Sequence, residues 1–88
     1  MRASPPWRAG SRVSRLPRAP GDRIVAAFTR HGWTVHHQRG SHVYLRHPGH
    51  PGVQLTVPVH AGHIVKLGTL AAILSDADIT AEEFTSWL

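Results

Sequence analysis

Two glycine-centred turns, set close together, constrain this chain more than any other feature. Arg39-Gly40-Ser41 and Pro48-Gly49-His50-Pro51-Gly52 leave only short runs beside them. Connections this brief join antiparallel neighbours, because parallel strands need a crossover of roughly a dozen residues or more. The runs themselves alternate. Trp33-Thr34-Val35-His36-His37-Gln38 sets Trp33 and Val35 against Thr34 and His36. His42-Val43-Tyr44-Leu45-Arg46-His47 sets Val43 and Leu45 against His42, Tyr44 and Arg46, and Val53, Leu55 and Val57 form the inward row of a third run ending at Pro58. A period of two with one apolar side is the mark of a half-buried strand. An antiparallel three-stranded meander follows, whose second strand carries a polar, basic outer face.

On either side of the meander the period becomes helical. Ile24, Ala27 and Phe28 share one face of a short helix, with Asp22 placed to cap its start or favour its dipole and Gly32 to end it in the left-handed region. Leu70, Ile73, Leu74 and Ala77 mark a second helix, for which Thr69 is the natural N-cap. Thr80-Ala81-Glu82-Glu83 has the capping-box pattern and predicts a last turn or two through Phe84 and Leu88. The fold class is α+β: α-β-β-β-α with a short C-terminal helix, the helices packed on one face of the sheet and the other face open to solvent. Double-stranded-RNA-binding domains share this order, which by itself says little about activity.

With 88 residues the chain makes one small domain. It has no Cys, so a disulfide framework, a Cys-ligated zinc site and a thiolate nucleophile are excluded. Ten Lys and Arg against five Asp and Glu give a net charge of +5, which suggests a polyanionic partner. The excess is local. Arg2, Arg8, Arg12, Arg15 and Arg18 fall in residues 1–20, where no acid occurs, whereas residues 21–88 are neutral in sum. Residues 1–20 are rich in Arg, Pro, Ser and Gly without a sustained period and read as a flexible basic leader, with 21–88 as the domain. The leader is open to three readings: an arm that touches RNA, a solvated tail, or residues upstream of a start nearer Val13. It lacks the apolar core of a secretory signal, and no run approaches the roughly 20 apolar residues of a membrane span. The expectation is a cytoplasmic protein with no membrane partner.

His42 follows a Gly-Ser turn at the start of a strand and on its polar side. Cleavage of RNA needs a base to take the proton of the ribose 2′-hydroxyl and an acid to protonate the departing 5′-oxygen, and imidazole suits both tasks without a metal. Arg39, Arg46 and Lys66 are cations able to offset charge that develops at phosphorus, and Tyr44 is placed to stack a base. Two rival patterns involve other histidines. His47-x-x-His50 and His60-x-x-His63 would form a zinc site if a hairpin joined the two loops, although no carboxylate is near in sequence. His36 and His37, adjacent in a strand, are expected on opposite faces and so not in one site. Trp33 and Trp87 read as packing residues, and Trp7 as incidental to the leader.

The series Gly32-Trp33, Arg39-Gly40-Ser41-His42, Val57-Pro58-Val59-His60 and Gly68-Thr69-Leu70, followed by Ile73-Leu74 and Ala77, resembles the HicA (YcfA-like) mRNA interferase toxins from about Leu16 to Phe84. The resemblance implies a double-stranded-RNA-binding-like fold, metal-independent endoribonuclease activity on mRNA without a cofactor, and neutralisation by a HicB-type antitoxin. It assigns the essential histidine of the Gly-Ser-His motif to His42, beside Ser41. Arg39, Ser41, Tyr44, Arg46, His60 and Lys66 are then the expected RNA-binding residues. His60, in the Val-Pro-x-His position, either holds its loop or contacts phosphate. Gly68-Thr69-Leu70 sets the start of a helix more readily than it binds an anion. Two positions depart from the family pattern: His63 and Leu67 stand where Lys and Pro are expected, which predicts a weaker cationic patch. The alternative is a non-catalytic RNA-binding module using the same sheet face. A protein-interaction domain is a third reading.

Overall fold

A computed structural model describes residues 16–88, in which α1 (Gly21–Arg30), β1 (Thr34–Arg39), β2 (His42–Arg46), β3 (Leu55–Pro58), α2 (Leu67–Ala77) and α3 (Ala81–Ser86) follow in order. The strands form one antiparallel sheet in the order β1-β2-β3, as the two short turns demand. The expected α-β-β-β-α order with a short terminal helix is the fold observed.

The apolar stripes meet on one side of the sheet. Ile24, Ala27 and Phe28 of α1 and Leu70, Ile73 and Leu74 of α2 are buried over Val43 and Leu45 of β2 and Leu55 and Val57 of β3. Phe28 is the hub: Trp33 and Trp87 meet its ring edge-on with centroids 5.8 and 5.4 Å away, and Phe84 stacks on it at 5.6 Å. Aromatic pairs in these geometries add to the burial they provide. Trp87 is further fixed by a hydrogen bond from Arg30 Nη2 to its carbonyl at 2.6 Å and by His31 stacked at 3.9 Å. Both tryptophans thus pack against the core, as expected.

Two local expectations are corrected. Val35 was expected to point inward into the core, but it is 51% exposed, and every residue of β1 is exposed. Val35 does pair with Leu45 and so lies on the core side of the sheet. The inward residues of β2 and β3 are buried beneath the helices, whereas those of this edge strand are left exposed. Thr69 does not cap α2: the helix begins at Leu67, three residues before the expected Leu70, with Lys66 in the N-cap position, because the Lys66 carbonyl accepts the Leu70 N–H at 2.9 Å and Leu67 packs on the core. Pro20 occupies the N-cap of α1 and Asp22 lies in the first turn, so of its two expected roles Asp22 takes the one that favours the helix dipole. Thr80 does cap α3, its hydroxyl accepting the Glu83 N–H at 3.0 Å. Gly32 has φ of 95° and gives α1 the left-handed stop expected of it.

Most of the expected leader, residues 1–15, lies outside the described residues. Its last part is tied into the fold. Leu16 and Ala19 are buried, the Ala19 carbonyl accepts the Val65 N–H at 3.0 Å, and Pro20 bridges to Ile64. The packed unit therefore begins no later than Leu16, not at Gly21.

Candidate functional site

The open face of the sheet is ordered by the β1–β2 hairpin. Arg39 and His42 face each other across the two-residue turn Gly40-Ser41, with Gly40 at φ of 58°. Two-residue hairpin turns favour such positive φ values because their twist matches that of the strands. On its other side His42 pairs with Pro58 of β3. The Ser41 carbonyl accepts the Val59 N–H at 2.6 Å, which ties the turn to the segment after β3. Ser41 is half-buried, whereas His42 is exposed and its imidazole makes no hydrogen bond among the described residues.

A β-bulge determines which side chains join His42. The register runs Thr34 with Arg46 and Val35 with Leu45, then resumes with His37 opposite Tyr44 and Arg39 opposite His42, leaving His36 as the extra residue. Bulges of this kind re-aim the side chains that follow them. Strict alternation from Trp33 would turn His37 and Arg39 toward the core side. The bulge instead puts both on the open face, where the His37 ring stacks on Tyr44 with centroids 4.3 Å apart and planes at 17°. It also overturns the expectation that His36 and His37 are separated by the strand, since their rings lie 5.2 Å apart. Paired residues share a face, so Arg39, His42, Tyr44 and Arg46 occupy one surface together with His37 and Thr56. None of the acids reaches it: Asp22, Asp76, Glu82 and Glu83 lie on the helices, and Asp78 follows α2. A domain that is neutral in sum is polarised in space.

His60 and Lys66, the other two expected RNA-binding residues, are elsewhere. They line a groove of about 180 Å³ between the end of β3 and the start of α2, together with Pro58, His63, Ile64, Val65 and Thr69. Pro58 joins the two regions, since it lines the groove and pairs with His42. The His60 carbonyl accepts the His63 N–H at 3.0 Å, a turn that brings the two imidazole centroids within 5.8 Å. His63, a departure from the family pattern in sequence, thus lines the same groove as His60 and Lys66.

The two histidine pairs of the zinc pattern do not combine. His47 and His50 pack on Trp33, each with centroids 5.2 Å from it, and His47 Nδ1 accepts the Gly49 N–H at 2.8 Å. No group of three or more potential ligands gathers among the described residues. Sequence reasoning passed over His37, yet a signal for it exists. A two-residue turn that sets Arg39 against an outward His42 conflicts in parity with an inward Trp33 and Val35, and one extra residue in β1 resolves the conflict.

No helix among the described residues is long and apolar enough to cross a membrane. A search of curated proteins finds no match to the chain. Residues 21–79 match the family described as the HicA toxin of bacterial toxin–antitoxin systems. The match runs from the first residue of α1 to just beyond α2 and so takes in every strand and turn that positions His42 and the groove; the chain belongs to the HicA toxin family, whose members are paired with an antitoxin.

Proposed function

We propose that the protein is a metal-independent endoribonuclease that cleaves single-stranded regions of mRNA in the cytoplasm, with His42 as its acid–base group. The observation that carries this reading is the setting of His42: exposed, with Arg39 across the turn and Tyr44 two residues along the same acid-free face. In the reaction the His42 imidazole takes the proton of a ribose 2′-hydroxyl as the 2′-oxygen forms its bond to phosphorus. The bond from phosphorus to the 5′-oxygen breaks, its electron pair stays on that oxygen, and the imidazolium returns a proton there. Acid–base assistance of this kind contributes roughly 10²–10⁴-fold. Arg39 and Arg46 offset the charge that builds on the phosphoryl oxygens, and the Tyr44 ring, steadied by His37, offers a stacking surface to a neighbouring base. Ser41 contributes through the turn that presents His42.

The partner that silences such a toxin is, on this reading, a HicB-type antitoxin that covers the open face and sets acidic groups against Arg39 and Arg46. Cleavage of an mRNA transcript by purified protein in EDTA is the direct test. His42→Ala is expected to lower the rate by a factor of about 100 or more, and equal cleavage by both proteins removes His42 from the mechanism. Growth arrest on induction, relieved by the antitoxin and absent in His42→Ala, is expected in cells. RNA binding without cleavage or arrest would instead support the non-catalytic module.

A further inference from the structure

We infer that the groove between β3 and α2 is a phosphate subsite, which holds an RNA phosphate adjacent to the one attacked at His42. This rests on the ribonuclease reading above and extends it to a second position along the strand. The lining carries three groups able to bear positive charge, His60, His63 and Lys66, and the hydroxyl-bearing Thr69. No acid is among the lining residues. Two imidazoles 5.8 Å apart are a familiar beginning of a metal site, but the Lys66 ammonium in the same lining repels a metal cation and attracts an anion.

Size and surroundings agree with that choice. About 180 Å³ gives room for a phosphate and a few waters, each water taking roughly 30 Å³ of liquid volume. Pro58, Ile64 and Val65 make much of the remaining wall apolar, so the groups able to bear charge are the groove's principal polar contacts. The position is equally specific. Pro58 belongs to the groove and is the strand partner of His42, and paired strands lie about 4.8 Å apart. On this inference a polynucleotide with one phosphate at His42 sets the next at the groove, one strand away. The oligomeric anion, rather than a carboxylate on a protein, is the ligand that this continuity favours.

The test uses the full chain and a short single-stranded oligonucleotide with 2′-O-methyl riboses, which lacks the attacking hydroxyl and reports binding alone. The double variant His63→Gln/Lys66→Gln changes two exposed side chains, and an unchanged melting temperature will show the fold intact. Binding is expected to weaken about tenfold at low salt, and the slope of log affinity against log salt to become shallower by roughly 0.7, the amount for one phosphate fewer neutralised on a single strand. Inorganic phosphate is expected to shift the imidazole resonances of His60 and His63 saturably. An unchanged salt slope in the variant, or imidazoles that phosphate does not move, overturns the subsite. Binding of a glutamate-rich peptide in the groove, with no response to phosphate or oligonucleotide, overturns it in favour of protein docking. The two levels separate cleanly. A protein that binds the oligonucleotide through the groove but leaves ordinary RNA intact refutes the ribonuclease and upholds the groove. One that cleaves RNA in EDTA with the same salt slope in parent and variant upholds the ribonuclease and refutes the groove.

Discussion

Tyr44 stands in the middle of the open face, with His37 stacked on it from β1 and Thr56 paired with it from β3. On the proposed function its ring serves RNA through a π-face and not through its hydroxyl, so Tyr44→Phe is expected to keep the affinity for an uncleavable oligonucleotide. Tyr44→Ala is expected to lose about 1–3 kcal/mol of it, the range found for base–aromatic stacking. Fluorescence anisotropy measures both, and equal binding by all three proteins would remove Tyr44 from the interface. The polar side of β2 was legible residue by residue, because His42, Tyr44 and Arg46 alternate with two apolar residues that must be buried. His37 was not, because its role depends on an extra residue in the neighbouring run.

Among the elements, the start of α1 and the end of β3 are locked through Gly21. A Cβ there would collide with the Pro58 carbonyl, so Gly21→Ala must push α1 away from the strand that flanks His42. The expected cost is about 1–3 kcal/mol, as for other overpacked sites, with a fall in melting temperature of roughly 4–8 °C for each kcal/mol. RNA cleavage should fall with it below the melting point, because Pro58 moves. A variant as stable and active as the parent would show that the two segments part freely. Thr80→Ala removes the cap of α3 and is expected to cost about 0.5–2 kcal/mol, read from denaturant midpoints, without changing cleavage. The capping residue Thr80 was readable since its chemistry is local. The start of α2 was not, since Lys66 caps it through its backbone, and what draws the helix back is the packing of Leu67 on residues distant in sequence. Val35 misled for a related reason: alternation says which side of a sheet a residue lies on, but not whether a helix reaches far enough to cover it.

For the molecule as a whole, the folded unit and its charge both differ from what the composition suggests. A chain that begins at Gly21 loses the burial of Leu16 and Ala19 and the bond from Val65 to Ala19. Leu16→Ala alone is expected to cost about 2–5 kcal/mol, a large share of the roughly 5–15 kcal/mol that holds a small domain together. Thermal melts of the full chain with and without that substitution check it, and coincident melts would place Leu16 outside the cooperative unit. On the proposed function, Arg39 and Arg46 on the sheet, with the acids on the helical side beside Arg23 and Arg30, give a domain of little net charge a directed attraction for polyanions. The bulge at His36 bears on one more property, solubility. β1 is an outer strand, exposed along its length, and a straight strand in that place would template filaments of its own kind. An extra residue breaks the even spacing of its outward amides and carbonyls, so a second molecule finds no regular ladder to extend. The irregularity that gathers the site also guards a small, sheet-edged protein against self-assembly while its antitoxin is absent.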